Sequence, residues 1–422
     1  MPAPGARRLP GWAAPQHVFE GVTVGTENAV LLESSDGSGI SWIGLGDAVV
    51  HDLPAVPLDG GGTDASFDLG WAGWLSYEGE ATFLEVDRAI RFDHRTREIS
   101  ALGGTARWAD QVAASLTRPS SPPEPEPEPG PRSELPVLWR ADDDAYLAAI
   151  AECLRAIVRG DAYVLCLTNT ATAQVPVDGW ATYRRLAAAS PTHSAGYLRI
   201  DGVELVSASP ERFVEVARDG TVRSRPIKGT RRRDPDAARD AELAGELLDS
   251  EKERAENLMI VDLVRNDLSR VARVGSVRVP ALFDVESYAQ VHQLVSTVEA
   301  DLLPGLTAAD AVRSLFPAGS MTGAPKISAM ALLAALEGAP RGVYSGAFGY
   351  LSRNGSADLA MAIRSVVVTD GIATIGAGGG VTALSDPWEE LAEVRLKAAP
   401  LIAALIEGRG EAGNLGDGLS RP

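Results

Sequence analysis

Three features predict a mixed α/β (α+β) fold: short apolar runs in the first quarter, alternating strand-like and helix-like segments after residue 140, and two well-marked helices near the end. From 18 to 110 the runs AVLLES, SWIGLGDAVV and GWAGWLSYE are separated by Gly, Asp and Ser, which punctuate strands rather than long helices. Asp142 to Gly160 reads as a helix, with Tyr146, Ile150 and Cys153 at helical spacings, and YVLCL from Tyr163 to Leu167 reads as a strand. The stretch 237–270 is helix-like in composition, although its β-branched IVDLV portion puts its continuity in question. Ala324 to Glu337 and Trp388 to Leu405 are the clearest remaining helices. In the last, Asp386 suits the cap, Pro387 the first turn, and Glu389 the third position of a capping box.

At 422 residues the chain could form two or three domains of about 150 residues, or one large unit with a smaller partner. The run TRPSSPPEPEPEPGPRSELP, Thr117 to Pro136, is dense in proline and glutamate and predicts an extended, solvated connector. It divides a sheet-rich region, 18–116, from a larger region, 137–408, with 409–422 expected as a flexible tail. No repeat of solenoid length is visible.

Lys and Arg number 39 against 57 Asp and Glu, a formal net charge of −18, with 45% hydrophobic residues. That composition suits a folded acidic protein and disfavours a nucleic-acid partner, which needs a basic stripe. It leaves small anionic substrates open. Two cysteines, Cys153 and Cys166, form neither a disulfide framework nor a zinc signature, so a reducing cytoplasm is expected. No window approaches the 18 or more apolar residues of a membrane span, and the amino terminus lacks a signal-like apolar stretch.

Two carboxylate pairs carry chemical interest. Glu253 and Glu256 are three residues apart in SEKERAENLMIVDLVRND, as are Glu390 and Glu393 in SDPWEELAEVRLKAA, so each pair can share a helix face. Facing one another, they could hold Mg²⁺ and leave room for a substrate carboxylate; the same spacing is met by exposed charged helix faces. Lys397, four residues after Glu393, could counter a substrate carboxylate or simply pair with Glu393.

GAGGG, Gly376 to Gly380, reads as a tight turn or as backbone donors for an anion, and lacks the dinucleotide-binding spacing. Arg364 could grip a carboxylate and Tyr350 could orient a hydroxyl, or each could be ordinary packing. PIKGTRRR places Lys228 before three arginines, 231 to 233, that could steer an anion; a buried Lys228 could serve as a nucleophile. FPAGSMTGAPK combines a Gly-rich turn with a helix start near Pro325, and could close over a substrate with Lys326 near its base. Neither glycine segment is a Walker A sequence.

Together SPERF (Ser209 to Phe213), PIKGTR, KERAENLMIVDLVRNDLSRV, FPAGSMTGAPK, SGAFGY (Ser345 to Tyr350) and GAGGG with SDPWEELAEVRLKA resemble the chorismate-utilising enzymes, in order, over most of 140–405. LLES (Leu31 to Ser34) and GWAGWLSYE extend the resemblance into the regulatory-like half of that family. It implies an anthranilate-synthase-like fold, two intertwined subdomains around β-sheets. It further implies Mg²⁺ bound directly by Glu256 and Glu393, with Glu253 and Glu390 as outer or occasional ligands. Tyr350, Arg364, Gly378, Gly379 and Lys397 would surround chorismate.

Within the family, PIKGTR resembles the aminodeoxychorismate synthase component I branch of para-aminobenzoate and folate synthesis, whereas anthranilate synthases carry PIAGTR. The branch implies attack by Lys228 at C2 with loss of the C4 hydroxyl, then ammonia addition at C4. Ammonia would come from a separate glutamine amidotransferase subunit, since no glutaminase half is recognisable in the chain. LLES suggests a regulatory-ligand pocket marked by Glu33 and Ser34.

One departure stands out: where the family strand has histidine before LVS, this chain has Gln293, with His292 one residue earlier and so on the opposite face. The proton donor for the leaving hydroxyl is then unassigned. Anthranilate synthase component I is the alternative activity, isochorismate and salicylate synthases being more distant ones. A noncatalytic, metal-stabilised interaction protein is the alternative of another class.

Overall fold

The computed structural model describes residues 6–116, 137–288 and 290–405, so the expected connector, 117–136, and tail, 409–422, lie outside the described residues. Two antiparallel sheets dominate. The first has 12 strands and runs from an edge at Arg7–Leu9, through Ala29–Glu33 beside Ser194–Ile200, to Ile372–Thr382 beside Val164–Ala173. The second has 10 strands, from Ile227–Arg232 beside Val291–Asp301 to Gly70–Leu75 beside Ala347–Ser352 and on to Val49–Val50. Strands from before 117 and after 136 are hydrogen-bonded neighbours in both sheets. The expected pair of intertwined subdomains is therefore what the chain forms.

The sheets face each other through a core of Val30, Trp42, Phe67, Trp74, Leu84, Leu198, Leu205 and Phe348. A β-carbon on Gly196 would stand 2.7 Å from the Phe348 ring, so glycine there lets the sheets close. Helices cover the outer faces. Asp143–Arg159, Gly179–Ala189 and Pro387–Ala404 pack on the first sheet through Tyr146, Ile150, Tyr183, Leu186, Val394 and Leu401. Glu251–Ser269 and Ala308–Leu315 pack on the second through Ile260, Val264, Leu268 and Val312. Each such large side chain contributes about 1.5–3 kcal/mol through burial.

Local signals set the helix ends. Asp142 accepts from the Ala145 amide at 2.8 Å, and Gly160 takes the left-handed conformation, φ +84°, that stops the helix. The helix-like stretch 237–270 is two helices, Ala237–Asp249 and Glu251–Ser269, broken at Ser250, which caps the second. The IVDLV portion is helical throughout. Asp386 accepts from the amides of Trp388 and Glu389, with Pro387 in the first turn. No helix among the described residues is long and apolar enough to cross a membrane.

Candidate functional site

Lys228 owes its position to a bulge. In its pairing with Val291–Asp301, Ile227 opposes Val295 and Thr230 opposes Gln293, so three steps on one strand match two on the other. Gly229 absorbs the excess at φ +89°, where a β-carbon would also stand 2.8 Å from Leu247 and 2.9 Å from Glu253. The lysine is thereby aimed across to the first sheet. Its Nζ lies 3.7 Å from the place a β-carbon on Gly380 would occupy.

GAGGG is not a turn. It lies inside the eleven-residue strand Ile372–Thr382, paired residue by residue with Val164–Ala173, Gly376 opposite Thr170 and Gly380 opposite Cys166. Its glycines answer close approaches of other groups rather than a reversal of the chain. A β-carbon on Gly376 would collide with the Tyr344 ring at 2.0 Å, and one on Gly379 would stand 2.8 Å from Glu390 Oε2.

One carboxylate helix reaches this strand and the other reaches the lysine strand. Lys397 Nζ donates to the Gly378 carbonyl at 2.8 Å and pairs with Glu393 at 2.6 Å, so the ordinary i,i+4 pair forms and is also anchored to the glycine strand. The helix bearing Glu253 and Glu256 is fastened to the lysine strand by buried Asn257. That side chain accepts from Ser296 Oγ at 2.6 Å and donates to the Pro226 and Leu294 carbonyls at 3.5 and 3.4 Å. Arg231 approaches Glu253 at 3.4 Å and Arg233 grips Asp240, so two of the three arginines after Lys228 already have acidic partners.

The electrostatics link these groups. Burial pushes the Glu256 carboxyl up, against the pull of Lys228, with Glu253 and Glu390 adding to the rise. Burial also raises Glu390, against its hydrogen bond from Ser385. Glu393 goes the other way: burial pushes it up, but Lys397, with Lys228 and Lys252 behind it, holds it below the usual carboxylate range. Glu211 of SPERF, 8% exposed, joins the same group. Burial pushes its carboxyl up to about 7 against Lys228, a Ser320 hydrogen bond and Lys397. Read only as part of a motif, SPERF gave no hint of this; a buried acid between two lysines is visible only in three dimensions.

The donor set suits a hard cation. Glu390 Oε2 is buried without a hydrogen-bond partner, and the neighbouring donors are carboxylate oxygens. No three His, Cys, Asp or Glu side chains among the described residues converge closely enough to hold a metal by themselves. Mg²⁺ commonly takes one or two carboxylates and completes its shell with water and substrate.

Arg364 lies close to both Tyr344 and Glu393, and the Glu393 carboxylate opposes the lowering that burial imposes on its guanidinium. The tyrosine beside it is thus Tyr344. Tyr350, expected around the substrate, sits in the inter-sheet core with its ring centroid 4.9 Å from that of Phe67 and its hydroxyl donating to the Ala65 carbonyl. Both tyrosines stand in VYSGAFGY, and only the strand's start at Ala347 separates them. His292 is 3% exposed, bonded to Ser287 at 2.7 Å and Asp240 at 2.9 Å, while Gln293 sits opposite Thr230. Lys326, placed near a lid by its sequence, pairs with buried Asp267 at 2.6 Å. In the other half, Glu33 accepts from Tyr183 and Gln16, and Ser34 Oγ donates to Asp36 at 2.8 Å and accepts from the Gly39 amide at 3.0 Å.

Residues 63–403 match the family described as chorismate binding enzyme. The chain is 42% identical over 390 residues to an aminodeoxychorismate synthase of Streptomyces pristinaespiralis, covering 86% of this chain and 54% of that protein. It is 38% identical to anthranilate synthase component 1 of Streptomyces coelicolor, covering 77% of this chain and 67% of that one. The structure of anthranilate synthase component I from Streptococcus pneumoniae TIGR4 superposes with a TM-score of 0.74 at 28% identity, covering 95% of this chain and 93% of the other. The chain spans about half the length of the Streptomyces aminodeoxychorismate synthases it matches.

Proposed function

The chain belongs to the chorismate-binding enzymes, in the group of anthranilate and aminodeoxychorismate synthase component I, and from that premise we propose that it aminates chorismate at C4. The product is 4-amino-4-deoxychorismate, the ammonia comes from a glutamine amidotransferase partner, and Mg²⁺ is required. Membership of an enzyme family removes support from the noncatalytic interaction-protein reading. The observation that carries the proposal is Lys228 itself, turned by its bulge toward Gly380 and surrounded by Glu211, Glu256 and Glu393.

Arg364 and Lys397 offer positive charge to the substrate's carboxylates, and Gly380, where a β-carbon would meet nothing closer than 3.5 Å, lets the ring approach the backbone. Mg²⁺ held by Glu256 and Glu393, with Glu253 and Glu390 around them, would neutralise and orient the ring carboxylate. Unprotonated Lys228 Nζ forms a bond to C2. The electron pair moves through both ring double bonds and the C4–O bond breaks. Glu211 is the acid able to protonate the leaving hydroxyl, because a carboxyl near 7 stays partly protonated at neutral pH. Ammonia then bonds to C4, the double bonds return, and the C2–Nζ bond breaks. One ammonia proton is lost, which the glutamate now ionised can accept.

Anthranilate formation is the second reading, supported by the relatives of that name. It requires pyruvate release and gives Lys228 no covalent role. Incubating the chain with chorismate, Mg²⁺ and ammonium decides between them. An aminated product that retains the enolpyruvyl group supports the proposal, whereas anthranilate with pyruvate overturns it.

A further inference from the structure

Arg341 touches none of the groups assigned to chemistry, yet its guanidinium joins several of the segments that wall the site. Its side chain is 2% exposed and forms a two-point pair with Glu337, Nε to Oε2 at 2.8 Å and Nη2 to Oε1 at 2.7 Å. The same guanidinium donates to the Met321 carbonyl at 2.7 Å and to the Cys166 carbonyl at 2.8 Å. Met321 follows Ser320, the hydrogen-bond partner of Glu211, and Cys166 lies opposite Gly380. Glu337 Oε1 also accepts from both the amide and hydroxyl of Thr168, opposite Gly378. Three residues beyond Arg341, Tyr344 packs on Gly376 beside Arg364.

Only a planar guanidinium, with five donors in a fixed fork, can meet a carboxylate at two points and two carbonyls at once. A buried pair of this kind is a poor device for stability alone, since well-packed apolar residues would serve as well. We propose that Arg341, held by Glu337, is a positioning residue that fixes Tyr344 and the backing of the glycine strand for substrate binding. The inference rests on the chorismate reading and concerns where the binding groups stand.

The test compares wild type, Arg341→Lys, Tyr344→Phe and the double variant for chorismate KM, kcat and thermal unfolding, with Mg²⁺ and ammonium. Lysine keeps the charge and loses the fork. The expected result is a KM raised about tenfold or more in folded Arg341→Lys, with a smaller change in kcat. In the double variant the two effects should be less than additive, because one acts through the other. Where Arg341→Lys does not fold, Thr168→Val leaves the ion pair intact, removes one bond to Glu337 and should raise KM in the same direction. An unchanged KM in a folded variant, or full additivity with Tyr344→Phe, overturns the proposal. Wild type that consumes no chorismate would instead reject the functional reading on which it rests.

Discussion

The ring of Tyr344 packs against Gly376, so close that a β-carbon there would stand 2.0 Å from Tyr344 Cγ. Gly376→Ala must therefore displace the ring or part the strand from its neighbour. Overpacking of this kind costs about 1–3 kcal/mol. The displaced ring is the neighbour of Arg364, so chorismate KM should rise as the unfolding midpoint falls. Denaturant unfolding and steady-state kinetics on the same preparation check both.

Glu211 sets a pH dependence. Burial holds its carboxyl near 7, and its proposed role needs the proton, so kcat/KM should fall as pH rises through that value. Stability moves in the same direction. A carboxyl raised on folding binds more protons in the folded chain than in the unfolded one, so stability declines between about pH 4.5 and 7. The full penalty, on the order of 3 kcal/mol, is present above 7. Glu211→Gln should be nearly inactive at every pH and should gain stability over wild type at pH 8 but not at pH 4. A pH–rate profile and paired denaturation curves give the answer.

The carboxylate cluster makes a separate demand. Chelation should abolish chorismate turnover and added Mg²⁺ should restore it. Glu256→Gln should raise the Mg²⁺ needed for half-maximal rate by about tenfold or more. Because burial and neighbouring carboxylates already disfavour its charge, the same variant without metal should unfold at a higher temperature than metal-free wild type. Turnover unaffected by chelation would remove the metal from the account.

What could be read from the sequence was local. Asp142 with Gly160 and Asp386 with Pro387 mark helix ends because capping is decided within a few residues. The carboxylate spacings followed from helix periodicity for the same reason. GAGGG misleads because its glycines respond to Tyr344 and Glu390, groups that no local pattern brings near. Nothing local in VYSGAFGY marks Tyr344 as the tyrosine near Arg364. The neighbour of Arg364 is fixed by where the strand Ala347–Ser352 begins and by its pairing with Gly70–Leu75, over 270 residues away in the chain. Lys228 was singled out from its motif, but the bulge that aims it depends on pairing with Val291–Asp301.

The most direct test of the central claim is the product formed from chorismate, Mg²⁺ and ammonium by wild type and by Lys228→Ala, identified by mass spectrometry and nuclear magnetic resonance. Wild type should give 4-amino-4-deoxychorismate without pyruvate. The variant, shown to be folded by circular dichroism, should lose that product by several orders of magnitude, because no other group replaces the nucleophile. Unchanged formation of the aminated product by Lys228→Ala, or anthranilate as the product of wild type, would contradict the account.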